Sequence, residues 1–179
     1  MTPPPSPPPP PPGGYGAAPQ SGSGSPWGTL AEWGPRALGT LIDGGIGLAG
    51  FLVLFIVGVI LASISSSLGL IVFGIAYLGV LGWQIWIATQ VGSTGTSPGM
   101  RVMGLRCVGQ DTGQTIGAGQ GVIRWLCHII DNLICYIGWL FPLWDAQKQT
   151  IADKVMHTVV IVVPKQGFSI APPAGTAAY

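Results

Sequence analysis

The sequence predicts an all-α membrane protein. It has two transmembrane helices, a third tilted or re-entrant apolar helix, a small cytoplasmic β-ribbon and a disordered Pro-rich N-terminus. Three observations carry this reading. Charged residues make up 7% of the 179-residue chain, against about 25% in soluble domains. Hydrophobic residues make up 48%. From Gly44 through Met100 there is no Asp, Glu, Lys or Arg. A soluble globule so short of charge would have little to cover its surface. A net charge of +1 supplies no field for nucleic acid.

Residues 1–26 hold 11 of the 17 prolines, most of the rest being Gly and Ser. Consecutive prolines favour extended polyproline II, and the stretch has too little apolar surface to offset ordering entropy. The arm, taken as residues 1–32, reads as a disordered tether or as a ligand for a Pro-motif-binding protein. No Arg or Lys flanks the prolines to orient such docking. The transmembrane domain is expected over 33–164 and a flexible tail over 165–179.

The first span is predicted over about 37–62 and the second over about 68–91, since roughly 20 apolar residues cross a bilayer. The serines at 63 and 65–67 supply the turn between them. Trp27 and Trp33 precede the first span, and Trp83 and Trp86 lie near the end of the second. Indoles favour the headgroup level, so both sets mark one face of the membrane. Gly45/Ala49 and Gly58/Ala62 have the spacing of close helix contacts.

Residues 101–108 (RVMGLRCV) alternate like a strand, Gln110–Gly113 reads as a turn, and Val155–Val163 is a second strand candidate able to pair with the first. A third apolar segment covers about 121–143 and ends at Pro142. Both its flanks are basic: Arg101, Arg106 and Arg124 before or at its start, Lys148, Lys154 and Lys165 after it. A full crossing would put three positive residues outside, so a tilted, kinked or re-entrant segment with both termini cytoplasmic fits better.

The few charges define the candidate site. Arg36 and Asp43 share a helix face two turns apart, and Arg124 and Asp131 repeat that spacing. An exchange of partners, Arg36 with Asp131 and Arg124 with Asp43, would satisfy every buried charge. Asp43 reads either as structural glue or as a proton- or cation-binding carboxylate. His128, between Arg124 and Asp131 on one face, reads as a proton relay or as a histidine bonded to Asp131. Cys107, Cys127 and Cys135 form no metal pattern. There is no phosphate-binding loop, nucleophile elbow or zinc-protease motif, so neither an enzyme nor a cofactor or metal is expected.

These residues resemble the RDD family of small bacterial membrane proteins, named for one Arg and two Asp. Arg36 and Asp43 open and enter the first helix as the family's Arg and first Asp do. Gly95–Val108 is similar to the family's glycine- and arginine-containing segment, with Asp111–Gln114 as the turn after it. Arg124 matches an Arg opening the next helix, and Gln147–Lys154 with Thr158–Val160 matches the tail pattern. By this resemblance Asp153 is the second family Asp, with Asp131 as the alternative. The Pro-rich head before such a domain is similar to actinobacterial proline-rich antigens. Met100 stands where the family usually has a basic residue, which weakens any role needing that charge. The resemblance implies a multi-pass plasma-membrane protein that transports an ion or small ligand with cation or proton coupling. Two or three helices are too few to enclose a path, so a homo-oligomer or larger complex is expected. The rival reading is a non-enzymatic scaffold or accessory subunit whose Pro-rich arm recruits partners. A clamp of Asp153 on Arg101 and Arg106 is expected to dock tail to loop.

Overall fold

A computed structural model describes residues 24–134 and 137–170. Most of the Pro-rich arm, Cys135 and the end of the tail lie outside the described residues. In chain order the elements are β1 (Gly24–Ser25), β2 (Gly28–Thr29), α1 (Trp33–Ile64), α2 (Ser66–Thr94), α3 (Pro98–Met103), β3 (Leu105–Gly109), α4 (Ala118–Leu133), α5 (Ile137–Leu140), a 3₁₀ turn (Phe141–Leu143), α6 (Ile151–Val155) and β4 (Thr158–Val162).

Two helices, α1 and α2, are long and apolar enough to cross a membrane. Their hairpin breaks at Ser65, whose extended backbone ends α1. The charge-free part of α1, Gly44–Ile64, is about 30 Å long, the thickness of a hydrocarbon core. Arg36 and Asp43 therefore fall in the first turns outside it. The level is marked independently: the Trp83 indole donates to the Asp43 carbonyl at 3.0 Å and stacks on Trp86. Of the two small-residue pairs, Gly58/Ala62 is used, with Gly58 against Phe73 and Ala62 against Gly69. Gly45 touches nothing, and Gly47 meets Trp83 instead.

The third apolar segment is sharply bent, its two halves turning by 107°. α4 buries one face and leaves Ile123, Leu126, Ile129, Ile130 and Leu133 exposed. Its 16 residues reach about 24 Å, too short to cross alone. It leans on the end of α2 at two glycines. A Cβ on Gly92 would strike the Gly117 carbonyl, and one on Gly121 the Ala88 carbonyl.

β3 and β4 pair antiparallel, Leu105 opposite Val162 through Gly109 opposite Thr158. Both faces of this ribbon are covered. Ala31, Val91, Leu105, Cys107 and Val160 form one apolar cluster, and Leu30, Val108, Val159 and Ile161 the other. The strand expected over 101–108 is shorter at its start, because residues 98–103 form α3. Ser97 caps that helix by accepting from the Met100 N–H, Pro98 fits its first turn, and Gly104 ends it in a left-handed conformation, φ 68°. The 110–113 turn forms, but the strand it follows pairs with β4 across α4–α6.

Candidate functional site

Asp153 is the centre of the polar layer. It is fully buried at the third position of α6, where Thr150 and Asp153 form a reciprocal capping box. One carboxylate oxygen accepts from Arg36 Nη2 and from the Thr150 N–H. The other accepts from Arg124 Nε at 2.9 Å, Arg124 Nη2 at 2.5 Å and the Thr158 hydroxyl at 3.1 Å. Burial alone would raise the Asp153 pKa, but the guanidiniums of Arg124 and Arg36 overcome it and hold the carboxyl well below the usual carboxylate range. Arg36 also donates to the Lys148 carbonyl. Three segments distant in sequence, the start of α1, the middle of α4 and α6, thus meet at one anion.

The predicted exchange of partners is not what forms. Neither Arg36 with Asp131 nor Arg124 with Asp43 is paired; both guanidiniums converge on Asp153. The reason is depth. Asp43 lies nearly two turns further along α1 than Arg36 and binds α3 instead. It accepts the Ser97 hydroxyl at 2.5 Å and the Gly99 N–H at 2.7 Å. The fit is close, since a Cβ on Gly99 would strike the Gly39 carbonyl. Asp131, also fully buried, lies 2.6 Å from His128 Nδ1 and accepts the Ile151 N–H at 3.2 Å. The His128 ring stacks on Trp139, centroids 4.4 Å apart.

The expected clamp of Asp153 on Arg101 and Arg106 does not form either, because Asp153 is saturated by other donors. Arg101 nevertheless ties loop to tail by another route. Its Nη1 donates to the Ser169 carbonyl at 2.8 Å, and its own carbonyl accepts from the Gln166 N–H. Its Nε donates to Thr96 Oγ1 at 3.0 Å. Arg106 is half-buried on β3 against Gly95.

α1 packs chiefly on α2 and α3, and α4 chiefly on α2 and α6, rather than on each other. Between them lies a groove of about 520 Å³. α2 supplies its floor through Gln84, Ile87, Ala88 and Val91, and Trp33, Leu41 and Trp125 line its walls. Arg36, Asp43, Arg124 and His128 line it as well. The sequence reading picked out all four of these residues but not the groove, which exists only once α4 stands off α1. Of its lining tryptophans, Trp33 read from sequence as a membrane-level marker, while Trp125 and Trp139 carried no signal of a site.

Residues 30–157 match the RDD family. The chain is similar to the proline-rich antigen of Mycobacterium leprae, with 41% identity over 55% of this chain and 40% of that protein. It is similar to the proline-rich antigen homolog of Mycobacterium tuberculosis, with 42% identity over 60% of this chain and 45% of that protein. It also resembles the uncharacterized protein YxaI of Bacillus subtilis, with 29% identity over 56% of this chain and 60% of that protein. The matched regions thus span less than half the length of the two mycobacterial relatives. No solved structure matches. With the family match running from Leu30 to His157, across both long helices, the groove and the Asp153 network, the chain belongs to the RDD family.

Proposed function

We propose that this chain is a multi-pass plasma-membrane protein with both termini cytoplasmic. Acting as an oligomer, it takes a small ligand into the groove between α1 and α4 for proton-coupled transport. The groove carries this reading. Its volume falls within the range of small-molecule sites, roughly 300–1,000 Å³, with an apolar lining and a few converging polar groups. Bundle proteins place ligand sites between facing helices in the same way. His128 is the proton-exchanging group of this proposal. It lines the groove and is backed by a buried carboxylate, the pairing that suits imidazole to proton relay. Asp43, with a donor on each carboxylate oxygen, holds α3 and shapes the wall. The bent α4–α5 segment, apolar on its exposed side, lies in the membrane boundary as a re-entrant element and leaves both basic flanks on one side.

The test is proton movement into proteoliposomes under an imposed pH gradient. The full chain is expected to exceed empty liposomes. His128→Gln, which keeps a donor for Asp131 but cannot titrate, is expected to return the rate to background. Wild-type flux equal to empty liposomes would overturn the reading. A stable partner that co-purifies and is lost on removing residues 1–26 would then favour the scaffold role.

A further inference from the structure

We infer that the groove between α1 and α4 takes an anionic single-chain amphiphile, its acidic head against Arg36 and Arg124 and its chain along the apolar floor. This names the ligand class for the groove and rests on the reading above.

Charge is the first argument. Arg36 and Arg124 share one carboxylate, Asp153, so the three-residue network carries one positive charge in excess. The other nearby carboxylates do not cancel it by contact. Asp43 is turned onto Ser97 and Gly99, and Asp131 onto His128 and the Ile151 N–H. Asp131 acts on Arg124 through space but gives it no hydrogen bond, and a carboxylate or phosphate is the natural complement of the unused edge of a guanidinium.

Donor geometry is the second. Arg124 spends Nε and Nη2 on Asp153. Its Nη1 makes no hydrogen bond among the described residues, and the side chain lines the groove. Arg36 likewise spends Nη1 and Nη2, and its Nε makes no hydrogen bond among the described residues. The network is a preassembled holder of N–H groups with donors to spare.

The third argument is level. Arg36 lies just outside the charge-free part of α1, while the floor residues Ile87 and Val91 and the wall residues Trp33 and Trp125 are apolar. An acid head at the network and a chain among these side chains matches the polarity of the groove end to end. An inorganic anion would leave the apolar lining unused, and a cationic head would meet two guanidiniums.

The probe is brominated palmitate, read by quenching of tryptophan fluorescence with the full chain in phosphatidylcholine nanodiscs. Saturable quenching is expected, displaced by palmitate but not by methyl palmitate, hexadecylamine or inorganic phosphate. Gly44→Phe is the key variant. Gly44 lines the groove with open space at its Cβ, so the ring enters the groove from a position about two helical turns along α1 from Arg36. It is expected to weaken binding by at least about tenfold. Arg124→Gln is expected to erase the preference for acid over ester. Equal displacement by methyl palmitate, displacement by phosphate alone, or unchanged affinity in Gly44→Phe would each overturn the assignment. So would a wild-type dimer that Gly44→Phe converts to monomer, since a second copy would then fill the groove. Binding and proton flux are separate readouts: either can fail while the other stands.

Discussion

Replacing Asp153 by Asn tests the architecture most directly. The substitution is nearly isosteric, but among the described residues it removes the only anion that the two guanidiniums contact. It also replaces an acceptor at the cap of α6 with a neutral one. Breaking a buried ion pair on one side costs about 3–5 kcal/mol, because the surviving charge stays desolvated. The weakened cap adds up to about 1 kcal/mol. Arg36→Gln should cost less, about 1–3 kcal/mol, because Asp153 keeps Arg124 with its two N–H donors. The order of damage is therefore Asp153→Asn first, Arg124→Gln second, Arg36→Gln third. Reversible unfolding of the detergent-solubilised protein, followed by tryptophan near-UV dichroism, reads this order. A double-mutant cycle on Arg36 and Arg124 should show strong coupling, since both act through one carboxylate. The reasoning fails if Asp153→Asn stays within about 0.5 kcal/mol of wild type, the range of an ordinary surface substitution.

Other expectations follow from the same contacts. Asp153 has a depressed folded pKa, so its stabilisation is fully present above the unfolded carboxylate value of about 3.9. It is lost only as pH falls below that value toward the folded pKa. An acid titration of stability should show that loss in wild type and a smaller one in Asp153→Asn. Gly92→Ala and Gly121→Ala, where a Cβ would meet backbone, should each destabilise by about 1–3 kcal/mol in thermal melts. Gly119→Ala, with open space at its Cβ, should be neutral or slightly stabilising. In a Cys135→Ser background a membrane-permeable maleimide should label Cys127 and spare Cys107. Cys107 is fully buried, and burial pushes its thiol pKa up; rapid labelling of Cys107 would show that the ribbon core is open. A cysteine placed at Lys165 should resist an impermeant maleimide added outside intact cells, and labelling there would refute the cytoplasmic tail.

Much of this fold was legible because lipid imposes a coarse rule. A long charge-free run has one use, so α1 and α2 and the break near Ser65 could be read from residue type alone. The end of α3, residues 101–103, was read as strand because Arg101–Val108 alternates in part. The correct signals were local and present: Ser97-Pro98 at its start and Gly104 at its end. The site was legible in membership but not in pairing. Arg36, Asp43, Arg124 and Asp131 were marked by the cost of burying charge, and Asp153 by the family resemblance alone. Which acid meets which base depends on helix depth and on α6, a five-residue helix without a hydrophobic period to announce it. The Thr150–Asp153 capping spacing was the one clue that Asp153 is fixed on a helix and not free in a tail. The groove had no sequence signature, because it is the space between two helices that pack chiefly on other neighbours.

The bond between Arg36 and Asp153 joins residues 117 positions apart, and this has a consequence for biogenesis. At roughly 5–20 residues per second of synthesis, the arginine leaves the ribosome on the order of ten seconds before its counter-ion exists. Both long helices have been made by then, and the guanidinium can be solvated only by water and phospholipid headgroups. The hairpin must therefore insert with that end of α1 held at the aqueous boundary. Closure around Asp153 has to wait for α6, so a chain truncated before α6 leaves Arg36 and Arg124 without the carboxylate they share.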